Sequence, residues 1–149
     1  MATDQNQYLG NPLLKKANVS VEFTKEQIQE YQKCMEDPVH FIQEHMKIVS
    51  LDEGLVPFKM YDFQQNMVKT FHDNRFTICK LPRQSGKSTT IIAYLLHYVL
   101  FNQNVNVAIL ANKSSTARDI LGRLQLGYEN LPKWLQQGVV SWNKGSLDL

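Results

Sequence analysis

Cysteine is scarce: the 149 residues contain two, Cys34 and Cys79, far apart and neither in a C-x-x-C pair. That excludes a disulfide framework, leaves neither a zinc site nor a redox motif with the ligands it needs, and suits a reducing, intracellular setting. The four histidines, His40, His45, His72 and His97, show no spacing that converges on a metal, and read as core or surface side chains. An excess of one charge is lacking too. With 16 basic and 14 acidic side chains the formal net charge is +2, which announces neither nucleic acid nor an anionic membrane. The longest apolar run, Ile91 to Phe101, is broken by His97 and falls well short of the ~20 residues of a membrane span. The opening MATDQNQYLG has neither the basic stretch nor the apolar core of a signal peptide. No repeat or low-complexity tract is present. What remains, 43% apolar and 20% charged residues, is the composition of a soluble cytoplasmic domain large enough for one core.

Residues 1–20 mix Gly, Asn, Pro and Lys without a period and predict an amino-terminal arm lying on the surface or on another domain. Residues 21–60 read as a helical subregion leading into the main domain, which occupies 61–149. Thr24 and Gln27 have capping-box spacing, Phe23 and Ile28 that of a hydrophobic staple, and Ile28, Tyr31 and Met35 continue one helical face. Asp37-Pro38 opens a second helix with Phe41, Ile42, His45 and Met46 on its inner stripe. Next come an extended segment, a turn at Asp52-Glu53-Gly54 and a return to Pro57, then a helix over 61–72 burying Phe63, Met67 and Phe71. Phe76-Thr77-Ile78-Cys79 and Val105 to Ala111 suit strands buried on both faces. The helix after Lys87 is apolar on nearly every side. Another carries Ala117, Ile120, Leu121, Leu124 and Tyr128 on one face, and Val139 to Leu149 reads as a hairpin. Strand, helix, strand, helix predicts parallel α/β winding.

Leu81-Pro82-Arg83-Gln84-Ser85-Gly86-Lys87-Ser88 matches the phosphate-loop pattern G-x-x-x-x-G-K-[ST] except at its first glycine, which is Leu81. Such a loop wraps polyphosphate with backbone N–H groups, and the following helix adds the positive end of its dipole. Here Gly86 would keep a side chain out of the phosphate's space, Lys87 would reach the β- and γ-phosphates, and the Ser88 hydroxyl would help hold Mg²⁺. Arg83 either stabilises a transferring γ-phosphate or forms a salt bridge across the loop. About twenty residues upstream, Tyr61-Asp62-Phe63-Gln64 offers an amide able to read the N6/N7 edge of adenine and an aromatic to pack on the base. Without the loop, Phe63 would read as core and Gln64 as a surface amide.

Gln64, the loop with Arg83 inside it, Val107-Ala108-Ile109-Leu110-Ala111-Asn112-Lys113 and Val139-Val140-Ser141-Trp142-Asn143-Lys144-Gly145-Ser146 together resemble the amino-terminal ATPase domain of tailed-phage DNA-packaging terminases, large subunit. The likeness runs from about Asn11 onward and is closest to the contractile-tailed phages. That family's loop often lacks the first glycine and has arginine where Arg83 stands. The resemblance implies a RecA-like P-loop NTPase fold, an ATP- and Mg²⁺-dependent motor threading double-stranded viral DNA into a capsid, and a nuclease domain farther along. It further implies a portal protein and small terminase subunit as partners, a homo-oligomeric ring on the portal, and the cytoplasm of the infected host cell as location. Residue by residue, Gln64, Arg83, Gln84, Ser85, Gly86, Lys87, Ser88 and Thr89 carry over as nucleotide-contacting positions, with Arg83 and Lys87 catalytic and Ser88 on the metal. The acidic strand that activates water and the nuclease carboxylates have no counterpart in this sequence, so the chain alone is expected to be a poor ATPase.

Ile48-Val49-Ser50-Leu51-Asp52-Glu53 imitates that acidic strand but precedes the loop, and Gly54 favours a turn. Lys113, Ser115, Thr116 and Arg118 lie where related motors place a DNA-facing or coupling loop, or form a solvated helix start. Two other functions fit the same motifs: a superfamily-two helicase or translocase, and a non-enzymatic fragment docking on a partner.

Overall fold

A computed structural model describes residues 6–50 and 52–149. Among the described residues five helices carry the fold: α1 (Lys25–Glu36), α2 (Pro38–His45), α3 (Asp62–Asp73), α4 (Lys87–Phe101) and α5 (Ser114–Glu129). Three antiparallel strand pairs accompany them: β1 (Gln7–Tyr8) with β2 (Asn11–Lys15), β3 (Lys47–Ser50) with β4 (Gly54–Pro57), and β5 (Ser141–Trp142) with β6 (Leu147–Asp148).

The helix starts follow the capping chemistry of the sequence. Thr24 Oγ1 accepts from the Gln27 N–H at 3.2 Å, and Gln27 Oε1 accepts from the Thr24 N–H at 3.0 Å, closing the capping box of α1. Asp37 Oδ1 accepts from the Val39 N–H at 2.8 Å, with Pro38 at the first position of α2. The face α1 buries differs from the expected one. Cys34 is fully buried and Tyr31 packs against the core, whereas Ile28 and Met35 remain largely exposed.

The core lies where α2, α4 and α5 converge: Phe41 and Ile42, Ile92, Ala93, Leu96 and Leu100, and Leu124 and Tyr128 are all buried. His97 sits among aromatic rings, 4.9 Å from Phe101 and 5.5 Å from Phe41 between centroids. Helix α3 buries Gln64, Met67 and Val68, while Phe63, expected in the core, is 41% exposed.

The arm, expected on the surface or on another domain, is described over residues 6–20. Its hairpin folds back on the chain's own residues 136–139, with Leu14 buried, a parallel bridge between Lys16 and Val139, and backbone bonds from Val139 to Lys15 and from Ala17 to Val139. Gly138 makes the approach possible, since a Cβ there would lie 2.4 Å from Ala17 Cα. Residues 1–5 and Leu51 fall outside the described residues.

The predicted parallel sheet is the largest difference. Among the described residues neither 76–79 nor 105–111 forms a strand, and the Lys16–Val139 bridge is the sole parallel pairing recorded. The two stretches run outside regular structure with Phe76 84%, Ile78 98% and Leu110 88% exposed. A buried parallel strand needs a neighbour to take up its N–H and C=O groups, and neither stretch has one among the described residues. The architecture described is therefore a mixed α/β one built on packed helices.

Candidate functional site

The loop leading into α4 is shaped by two left-handed residues, Gln84 (φ 63°) and Gly86 (φ 73°). For Gln84 this conformation costs roughly 1–2 kcal/mol; for glycine it is free of that penalty. Gly86 is the N-cap of α4, and no side chain caps that first turn. The Ser85 hydroxyl and the Lys87 ammonium both donate to the Pro82 carbonyl, at 3.0 and 3.1 Å, so the loop closes on itself and Lys87 lies across it. Ser88 is exposed at the helix start, and Thr89 partly so. Arg83 is exposed on the turn, and among the described residues no carboxylate lies within ion-pair distance of it.

Gln64 sits behind this loop, not beside it. It is 3% exposed; its Oε1 accepts from the Tyr61 N–H at 2.9 Å, and its Nε2 donates to the Ser85 carbonyl at 3.3 Å. One amide therefore caps α3 and holds the phosphate-type loop. Tyr61 and Phe63 flank it as a stacked pair, centroids 5.9 Å apart and planes 10° apart, with Tyr61 70% exposed.

The remaining sequence candidates fall as follows. Asp52 and Glu53 lie in the turn between β3 and β4, as the turn reading requires, with Gly54 at φ 73°. Lys113, Ser115, Thr116 and Arg118 are exposed together at the start of α5, which no side chain caps. Two histidines meet where sequence spacing showed no convergence: His40 and His45 both direct Nε2 at Glu30 Oε1, at 2.8 and 3.0 Å, with Cys34 Sγ 3.6 Å from the same oxygen. Burial works to raise the Glu30 pKa, but the bonds and charges of His45 and His40 outweigh it and hold the carboxyl below its ordinary value. Burial, aided by Glu30, pushes the Cys34 thiol up to about 12. The i,i+4 spacing of Glu30 and Cys34 is visible in the sequence; the fold-back of α2 that delivers His45 is not.

The start of α4, with Gly86 as N-cap and Lys87 and Ser88 as its first residues, has no side-chain cap, and free N–H groups at a helix start are of the kind that accept anions. Residues 78–149 match the family model described as Terminase large subunit, T4likevirus-type, N-terminal. The matched segment holds the loop, α4, α5 and the carboxy-terminal hairpin, and over it the likeness to phage terminase large subunits is shown; Gln64 precedes it. Among the described residues no helix is long and apolar enough to cross a membrane.

Proposed function

We propose that this chain is the nucleotide-binding portion of a DNA-packaging motor of the terminase large-subunit type, with a RecA-like P-loop domain as its full fold. The observation that carries the reading is the loop at 82–88. It turns through Gln84 and Gly86 into an uncapped helix start, and Lys87 is held by a backbone carbonyl of the same loop. Phosphate oxygens are stronger acceptors for an ammonium than a neutral carbonyl is, so polyphosphate would draw Lys87 away from Pro82. The N–H groups around Gln84, Ser85, Gly86 and Thr89 would face the phosphates, and the Ser88 hydroxyl would hold Mg²⁺, which neutralises the β- and γ-oxygens when bound. Arg83, without a carboxylate partner among the described residues, would stabilise charge on the γ-phosphate. The exposed Tyr61–Phe63 stack offers a face for adenine, and Gln64 joins that face to the loop through Ser85. The family match favours a terminase over a helicase, and with it viral double-stranded DNA, a portal protein and a small subunit as partners of the motor.

Calorimetric titration of ATP·Mg²⁺ into the wild-type chain and Lys87→Ala tests this. Heat is expected for the wild type, with binding weakened at least about tenfold in the variant, since a charge-assisted bond contributes roughly 1.5–3 kcal/mol. Equal signals, or none in either, would refute the reading and favour a docking fragment.

A further inference from the structure

The junction of α1 and α2 gathers four side chains of metal-binding chemistry, far in sequence from the loop. Glu30 and Cys34 lie one turn apart on α1 and share a face. His45 comes from the last turn of α2, and the ligand atoms of Glu30, Cys34 and His45 all lie within 4.8 Å of one another. His40 Nε2 stands 2.8 Å from Glu30 Oε1 on the same side chain that receives His45.

Tetrahedral zinc, with bonds near 2.0–2.3 Å, sets neighbouring donor atoms about 3.3–3.6 Å apart. The separations of 3.0 Å for Glu30 to His45 and 3.6 Å for Glu30 to Cys34 lie within a few tenths of an ångström of that, and Cys34 and His45 close from a separation of no more than 4.8 Å. The donors are also held. The His45 ring packs edge-on against Trp134 at 5.7 Å and beside Phe41 at 6.2 Å, and the Cys34 carbonyl accepts from His97 Nε2 at 2.8 Å. Sulfur and imidazole together with one carboxylate select a borderline-soft divalent ion over Mg²⁺ or Ca²⁺, which take oxygen. Cys34 is buried, whereas the Glu30, His40 and His45 side chains stay 27%, 30% and 16% exposed, so an ion has a way in from solvent.

We propose that Glu30, Cys34 and His45 form a three-residue binding site, its fourth position open to solvent, for a divalent transition metal of the zinc class that clamps α1 to α2. Binding releases the Cys34 proton to solvent and replaces the Glu30–His45 hydrogen bond, the neutral imidazole keeping its proton on Nδ1, so the clamp of hydrogen bonds becomes one of coordinate bonds.

The test uses the whole chain stripped by chelator and titrated with Co²⁺ as a spectroscopic stand-in, followed by competition with Zn²⁺. The expected result is a thiolate-to-cobalt absorption with the strong visible bands of tetrahedral cobalt, bleached by zinc. It is abolished by Cys34→Ser, retained in Cys79→Ser, and shifted at least about tenfold to higher metal concentration by His45→Ala. Zinc should raise the melting midpoint of the wild type and of Cys79→Ser alike. Far-ultraviolet circular dichroism establishes that each variant is folded, and Glu30→Gln, which keeps the shape of the side chain, repeats the loss should Cys34→Ser unfold. A wild type without the thiolate band, or a band that survives Cys34→Ser and disappears with Cys79→Ser, would overturn the proposal.

Discussion

The side-chain amide of Gln64 occupies the space a Cβ would need at Gly86: the nitrogen lies 2.5 Å from where that carbon would sit. Gly86→Ala therefore meets two obstacles, a left-handed backbone at φ 73° and a neighbour pinned by bonds to Tyr61 and Ser85. The backbone strain alone costs roughly 1–2 kcal/mol. Displacing Gln64 adds roughly 1 kcal/mol for its lost hydrogen bond. In a double-mutant cycle with Gln64→Ala the second contribution should vanish, giving a coupling of about 0.5–1.5 kcal/mol by denaturant unfolding. Strictly additive losses would show that Gln64 does not brace the loop.

Gln136 is 1% exposed and ties three separate segments together. Its Oε1 accepts from the Lys15 N–H at 3.0 Å, and its Nε2 donates toward the carbonyls of Leu13, Tyr128 and Leu131 at 3.0–3.2 Å. Gln136→Ala removes the partner of the Lys15 N–H and a donor from the carbonyls of Leu13, Leu131 and Tyr128, the last of which keeps the Leu131 N–H; each group left unpaired costs about 1–3 kcal/mol. The loss should reach roughly 3 kcal/mol or more in urea unfolding. Gln136→Glu should not rescue it, because a carboxylate has no N–H to offer those carbonyls. A loss below about 1 kcal/mol in the alanine variant would mean that water replaces the side chain.

The contrast between Thr24 and Gln136 shows what the sequence discloses. Capping at Thr24 and Asp37, the β3–β4 turn and the long helices depend on neighbours a few residues away, so spacing suffices to find them. Gln136 holds the arm through Lys15 and Leu13, residues more than a hundred positions distant. The phosphate-type loop was legible as a motif, but the role of Gln64 as its brace was not, because an amide reads alike whether it faces a base or a carbonyl. Stretches 76–79 and 105–111 have strand composition without strand structure here, since β-propensity expresses fit to neighbouring strands more than a property of the segment itself.

His97 links pH to stability. Burial lowers its pKa to about 4, although its Nε2 donates to the Cys34 carbonyl; Nδ1 is buried with no partner among the described residues. The folded chain thus keeps His97 neutral, while the unfolded chain protonates it as pH falls through about 6.5. Between about 6.5 and 4 the unfolded state binds more protons, so stability should decline on acidification, by about 1.4 kcal/mol per pH unit at most and roughly 3 kcal/mol in all. Urea midpoints at pH 7, 6 and 5 should trace this decline in the wild type and a flatter one in His97→Gln. An identical slope in both would assign the effect to other groups.

Ile78 and Leu110 are 98% and 88% exposed on stretches whose backbone joins no sheet among the described residues, and the Arg75 guanidinium lies over the Phe76 ring, 5.2 Å from the centroid. Fully burying one such aliphatic side chain is worth roughly 1.5–3 kcal/mol, and an unpaired apolar strand templates pairing with another chain. The chain should therefore self-associate as its concentration rises, seen by sedimentation velocity. Replacing both residues with threonine removes most of the apolar area while leaving each stretch with a β-branched side chain of strand propensity. The double variant should shift association to several-fold higher concentration, with far-ultraviolet circular dichroism unchanged because neither residue belongs to a helix. A wild type that sediments as a monomer at every concentration would show that these side chains are shielded in solution.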